Sequence, residues 1–112
     1  MPHPNNVDLV KLQAAAGKAS ALLKVLANPD RLLLLCQLTQ GGFPVGELAA
    51  LTGVRQPTLS QQLTVLRGEG LVSTRREGKQ IFYSIASTEA LAVLNVLYQL
   101  YCANEQEASD VD

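Results

Sequence analysis

Between positions 56 and 85 the apolar residues change their period, and that change leaves few folds open to the chain. Leu59, Leu63 and Leu66 recur at i, i+4 and i+7, so a helix from about Pro57 packs one face inward and ends at Gly68 and Gly70. Its opposite face carries Pro57, Thr58, Gln61 and Thr64, flanked by Ser60 and Gln62, with no acidic residue. Short amides and hydroxyls suit a helix that lies against base edges and phosphates. An ordinary solvated helix face would mix Glu and Lys. From Leu71 the pattern alternates instead. Residues 71–76 and 80–85 are rich in β-branched and aromatic types, with Glu77, Gly78 and Lys79 between them, which predicts a β-hairpin. Arg75, Arg76 and Lys79 place three cations on that hairpin.

The segments upstream complete the pattern. Leu9, Leu12, Ala16, Ala19, Leu22, Leu23 and Leu26 predict a first helix over 8–27. Asn28 is a good N-cap and Pro29 suits the first helical position, so a second helix starts there and runs to about Gln40, stopped by Gly41 and Gly42. Val45, Leu48, Ala49 and Leu51 give a short third helix that Thr52 and Gly53 end. Two short helices joined by a tight glycine-bearing turn have the form of a helix-turn-helix. After the hairpin, Thr88 is expected to cap a last helix reaching about Ala103. The expected order is ααααββα, mainly α with a β-hairpin wing: a winged helix-turn-helix. Residues 1–7 read as a flexible N-terminus, 8–103 as one DNA-binding and dimerisation domain, and 104–112 as a flexible acidic tail.

Size and charge fit this reading. At 112 residues the chain is one domain with a single modest core. Its net charge of −1 hides an uneven distribution. Residues 55–79 set five cations (Arg55, Arg67, Arg75, Arg76 and Lys79) against Glu69 and Glu77, a local +3. The last ten residues hold Glu105, Glu107, Asp110 and Asp112 with no cation, a local −4. A basic patch with a distant acidic tail is compatible with double-stranded DNA as partner. No apolar stretch approaches the roughly twenty residues that span a bilayer, so no membrane partner is expected. No basic segment followed by an apolar run marks a secretory leader, and the expected location is cytoplasmic. That compartment keeps thiols reduced, so Cys36 and Cys102 are not expected to form a permanent structural disulfide.

An enzyme is not expected. The sequence offers no Ser-His-Asp or Cys-His set, no phosphate-cradling glycine loop and no carboxylate pair beside a nucleophile. The serious rival is a winged helix that binds protein rather than DNA, since a fold does not settle function. That rival predicts an acidic or neutral face where this chain is basic. The last helix adds a homodimer to the picture. Leu91, Val93, Leu94, Val96, Leu97, Leu100 and Tyr101 cover most of its circumference, and one apolar stripe suffices for packing on a single core. A second copy, through this helix or the first, is the natural cover. Leu12, Leu91, Leu94, Leu97, Tyr98 and Tyr101 are the expected dimer contacts.

Four segments, in register over about residues 8–102, carry a family resemblance. Leu26-Ala27-Asn28-Pro29-Asp30-Arg31-Leu32-Leu33-Leu34-Leu35 resembles the opening of the second helix in ArsR/SmtB-family repressors. Gly46-Glu47-Leu48-Ala49 resembles their third helix, residues 56–72 their recognition helix, and residues 75–85 their wing. One departure is Gln62, where many relatives carry His. The resemblance implies a dimeric repressor that binds an operator and releases it when an inducer binds. Within it, Gln56, Thr58, Ser60, Gln61 and Gln62 are expected at the major groove, where Gln can read adenine bidentately. Arg67, Arg75, Arg76 and Lys79 are expected near phosphate or the minor groove.

Many members of that family sense metals, which need clustered Cys, His, Asp or Glu. Here the third helix has Val45-Gly46-Glu47-Leu48 and no thiol, the last helix offers Asn95, Tyr98 and Gln99, and the sole histidine is His3. No metal and no cofactor are expected, although a metal held by the two cysteines with a partner-chain group stays open. Cys36 and Cys102, with Leu97-Tyr98 and Tyr101 before the second, resemble the BigR-type subgroup of sulfide- and persulfide-responsive repressors. That resemblance implies redox sensing by the two thiols, with reactive sulfur species as inducer and a general oxidant as the alternative signal. Cys36, following four leucines, is expected to be largely buried. Two inert small hydrophobes are the alternative.

Overall fold

The computed structural model describes residues 8–103, so the two ends read above as flexible lie outside the described residues. Helix α1 (Leu9–Leu26) starts at Asp8, whose carboxylate accepts from the Val10 N–H at 2.9 Å. Helix α2 (Pro29–Leu38) starts as expected: the Asn28 side chain accepts from the Arg31 N–H at 3.0 Å and Pro29 takes the first position. Helix α3 (Val45–Thr52) ends at Gly53, whose φ of 77° lies in the left-handed region that glycine enters without penalty. Helix α4 (Thr58–Gly68) follows after five residues, 53–57, one of them the buried Val54, which ties the turn to the core. Among the described residues no helix is long and apolar enough to cross a membrane.

Strands β2 (Val72–Glu77) and β3 (Gln80–Ile85) pair antiparallel from Val72↔Ile85 to Glu77↔Gln80. Only Gly78 and Lys79 lie between them, and Gly78 adopts φ 63°, as a tight two-residue hairpin turn requires. A third strand was not anticipated. Strand β1 (Phe43–Pro44) joins the free edge of β3, with Phe43 opposite Tyr83 and Pro44 opposite Phe82. Two residues cannot display a period, and proline argues against a strand except at a sheet edge, which is where it sits. The order is therefore ααβααββα rather than ααααββα.

Helix α5 (Thr88–Tyr98) also starts differently. Ser87 is the cap, its hydroxyl accepting from the Ala90 N–H at 3.0 Å, while the Thr88 hydroxyl turns to Glu89. Both residues can cap, and Ser87 is the one with extended backbone. The helix does not stay α to its end: Gln99–Ala103 form a π-helical turn. The core gathers Leu26 from α1, Leu34, Leu35 and Leu38 from α2, Leu48 from α3, Leu59, Leu63 and Leu66 from α4, Leu71 and Val72 at the sheet, and Ala90 and Leu94 from α5. Burying each leucine stabilises the fold by about 1.5–3 kcal/mol. Helix α4 is thereby held rigidly by one face, leaving the other to act.

Candidate nucleic-acid interface and cysteine pair

The buried leucines of α4 decide which side chains it presents. With Leu59, Leu63 and Leu66 turned inward, Ser60, Gln61 and Thr64 are exposed and Thr58 is half-exposed. Pro57, at the cap position, supplies no side-chain acceptor to the first turn. Gln56 fills that gap, its Oε1 accepting from the Ser60 N–H at 3.0 Å. Thr64 donates back to the Ser60 carbonyl at 2.8 Å. Arg67 is exposed on the last turn, about 13 Å along the axis from Thr58 at 1.5 Å per residue, in a notch with Thr64 and Tyr83.

Gln62 is placed differently from its neighbours. It is half-buried, and its Oε1 accepts from Arg31 Nη1 at 3.0 Å, while Arg31 Nε donates to the Val25 carbonyl at 2.6 Å. One guanidinium thus joins the end of α1, the start of α2 and the middle of α4. The motif reading singled out neither the contact nor Arg31 as a site residue. The usable signal was a lone arginine heading a run of four leucines, where a charge needs a partner.

On the wing the three cations are not equivalent. Arg75 Nε donates to Glu77 Oε2 at 2.8 Å, and its guanidinium lies 5.3 Å from the Phe82 ring centroid. Both partners of that ion pair are well exposed, so it contributes at most about 1 kcal/mol. Arg76 Nε donates to the Gly78 carbonyl at 3.2 Å across the turn, leaving its other N–H groups to point outward. Lys79 is exposed at the tip.

Of the residues expected at a dimer contact, Leu94 is turned into the chain's own core at 1 % exposure and is not available to a partner. Leu91 and Leu97 are half-buried, whereas Leu12, Tyr98 and Tyr101 are exposed. Val96 and Leu100, at 57 % and 55 %, take the place of Leu94 on the outer face.

The cysteines are both free and both exposed, against the expectation that Cys36 is buried. Leu34, Leu35 and Leu38 occupy the inward face of α2, and Cys36, about 150° round the axis from the middle of that face, falls on the outward side. Apolar surroundings still push the Cys36 thiol above its ordinary pKa, and the proximity of Cys102 adds to the shift. The two sulfurs therefore lie within electrostatic reach inside one chain. The π-helical turn bears on this. A regular α-helix would carry Cys102 about 80° round the axis from Leu94, whereas a turn advancing about 80° per residue brings it back toward the face that buries Leu94. Among the described residues no three of His, Cys, Asp and Glu converge as a metal site requires.

The thiol shift has a measurable consequence. A thiol reacts as its thiolate, and a raised pKa lowers the thiolate fraction at neutral pH. Alkylation of Cys36 by iodoacetamide is expected to be slow at pH 7 and to be still rising with pH past the ordinary thiol pKa of about 8.5. Peptide mapping in a Cys102→Ser chain reads it, and a plateau reached below pH 8 would contradict the shift.

The family described as bacterial regulatory protein, arsR family, matches residues 28–74, from the cap of α2 into β2. The chain is 51% identical over 100 residues to a biofilm growth-associated repressor of Agrobacterium fabrum, covering 89% of this chain and 86% of that protein. It is 41% identical over 100 residues to the transcriptional activator HlyU of Vibrio cholerae, covering 89% and 93% of the two chains. The crystal structure of the transcriptional repressor BigR from Xylella fastidiosa matches with a TM-score of 0.80 at 47% identity, over 88% of this chain and 97% of that one. With the same winged helix and this identity along nearly the whole of each relative, the chain belongs to the arsR family of bacterial regulatory proteins, DNA-binding regulators of transcription and not enzymes.

Proposed function

We propose that the protein is a homodimeric repressor that leaves its double-stranded operator when reactive sulfur species link Cys36 to Cys102. The observation that carries the sensing is the pair itself: two free, surface thiols, one on α2 and one on the π-helical turn, close enough for one to raise the pKa of the other. Repression is supported by the names of the Agrobacterium and Xylella relatives.

The chemistry balances with an organic persulfide, RSSH, as co-reactant. A cysteine thiolate attacks its outer sulfur, RS⁻ leaves as a thiol, and the cysteine becomes a persulfide. The second thiolate attacks the cysteine-bound sulfur, HS⁻ leaves, and a disulfide remains. The net change is RSSH and two thiols giving RSH, H₂S and one disulfide, with the sulfane sulfur reduced. If both cysteines are first converted, their persulfides condense with loss of H₂S to a trisulfide. Either strap ties α2 to the end of α5.

The dimer is supported by what this chain leaves uncovered. Only the last two residues of α1 are buried, and Leu9, Val10, Leu12 and Leu23 are each more than half exposed, as are Val96, Leu100 and Tyr101 toward the other end. Between α1 and the start of α5 runs a groove of about 560 Å³ with Ala15, Ala19, Leu22 and Leu71 as its apolar lining. Exposed apolar surface on two helices of so small a domain marks a protein interface. Covalent strapping of α2 to α5 then acts on the helix that sets the spacing of the two DNA-binding heads.

On DNA, the exposed side of α4, with Thr58, Ser60 and Gln61, enters the major groove. Arg67, Arg76 and Lys79 neutralise phosphates, and Arg75 is partly spent on Glu77. A regulator with the same geometry that activates rather than represses is favoured by one observation, the name of the Vibrio relative.

Intact mass and DNA release, measured together on the reduced protein with a persulfide donor, test the proposal. Wild type is expected to lose both free thiols and to release a duplex selected from a random library. Cys36→Ser and Cys102→Ser are expected to stay bound. Release by either single variant would show that the thiols are bystanders.

A further inference from the structure

Arg31 stands outside both the DNA-facing surface and the cysteine pair, yet it makes a pair of side-chain contacts that joins three helices. Its position is fixed before it reaches α4: its own N–H is capped by Asn28, and its Nε is spent on the Val25 carbonyl. That carbonyl belongs to the last turn of α1, where helix carbonyls have no partner within the helix. What remains is Nη1, 3.0 Å from Gln62 Oε1.

A guanidinium has donors and no acceptor, so only the oxygen of the Gln62 amide can face it. The amide is thereby turned one way, with its oxygen toward α2 and its NH₂ group away. Gln62 shares a helical stripe with Thr58, Gln61 and Val65, at i, i+3, i+4 and i+7, so the NH₂ group is carried on the side of α4 that holds the other DNA-facing residues. A glutamine that reads adenine bidentately turns both its oxygen and its nitrogen toward the base, and Arg31 turns the Gln62 oxygen toward α2 instead. Gln62 has only the nitrogen. It suits an acceptor on a base edge, such as guanine O6 or N7, thymine O4 or adenine N7.

We propose that Arg31 is a positioning residue for sequence recognition: by holding the Gln62 oxygen it makes Gln62 a donor-only reader, leaving Gln61 as the glutamine of α4 free for bidentate contact with adenine. The proposal rests on the DNA-binding reading of α4. It also separates two roles that a list of polar residues on one helix runs together, because Gln61 is exposed and Gln62 is tethered.

The test is selection from a randomised duplex library by the full-length protein, comparing wild type with Arg31→Met, Gln62→Glu and Gln62→Met. In Gln62→Glu the carboxylate still accepts from Arg31 but offers no donor, and a carboxylate on a base edge favours the cytosine N4 donor. Its preference at one position per half-site is expected to move from an acceptor-bearing base to cytosine by about tenfold in discrimination, with thermal midpoint retained. Arg31→Met frees the amide to turn, so preference for adenine, whose N7 and N6–H2 together suit a bidentate glutamine, is expected to rise at that same position. Because Arg31 touches no phosphate in this account, the slope of log affinity against log salt stays that of wild type, whereas loss of a phosphate contact would lower it by about 0.9. Gln62→Met breaks the same contact from the exposed side and keeps the question answerable if Arg31→Met does not fold. Base preferences of Gln62→Glu and Gln62→Met that superimpose on wild type overturn the proposal, as does a reduced salt slope in Arg31→Met. Failure of wild type to enrich any sequence would instead defeat the DNA-binding reading on which it rests.

Discussion

Leu63→Ala is expected to lower the unfolding free energy by about 2–5 kcal/mol, the cost of an unfilled cavity under the recognition helix. Leu63 is 1 % exposed and lies in the middle of α4, between Leu59 and Leu66, which are fully buried. A domain of this size has about 5–15 kcal/mol to lose, so the variant sits near the edge of folding. Thr64→Ala, one residue on and exposed, is the control and should stay within about 0.5 kcal/mol of wild type. Urea unfolding followed by circular dichroism reads both. A loss below about 1 kcal/mol for Leu63→Ala would mean that α4 is anchored by something other than its leucine stripe. The consequence reaches the exposed face, because the placement of Ser60 and Gln61 depends on the leucines packed on the other side of the same helix.

The other large effect is on assembly. Leu12→Asp combined with Val96→Asp puts charges on apolar surfaces of α1 and α5 that are uncovered among the described residues; the two are 51 % and 57 % exposed. The double variant is expected to sediment as a monomer at micromolar concentration. Its affinity for a two-half-site duplex should fall by about 10²–10⁴-fold, because the second head no longer binds at the effective concentration that the first one sets. Neither side chain contributes to the monomer core, so the fold should persist and a single half-site should still be bound weakly. A double variant that still dimerises would move the interface elsewhere. A monomer that holds the palindrome as tightly as wild type would remove the dimer from the mechanism.

How far the chain could be read in advance varied with the length of the pattern. Asn28 and Pro29 announced α2 because capping is local chemistry between residues three apart. The hairpin was legible because a two-residue turn with glycine at positive φ leaves its signature in adjacent letters. Strand β1 was not, since Phe43 and Pro44 become a strand only because β3 arrives beside them. Cap choice at Ser87 over Thr88 is a matter of which residue has the extended backbone, which either letter permits.

The site residues divide in the same way. The polar face of α4 followed from the leucines opposite it. The different fates of Gln61 and Gln62 did not, because adjacent glutamines differ only in what another helix brings to them. Arg31 lies 31 positions from Gln62, and no short-range pattern couples the two. Likewise the run of leucines before Cys36 suggests burial, while the inward set Leu34, Leu35 and Leu38 leaves Cys36 on the outward side of the helix.

By itself, then, the sequence determined the helices, the hairpin, the family resemblance and the polar character of the exposed face of α4. Each depends on periods of two or 3.6 residues, on capping and on turn chemistry, all of them local. Tertiary structure alone decided the third strand, the tether from Arg31 to Gln62 and the loss of Leu94 to the core. Those are contacts between segments far apart along the chain, and their geometry exists only once the shared leucine core has set the helices against one another.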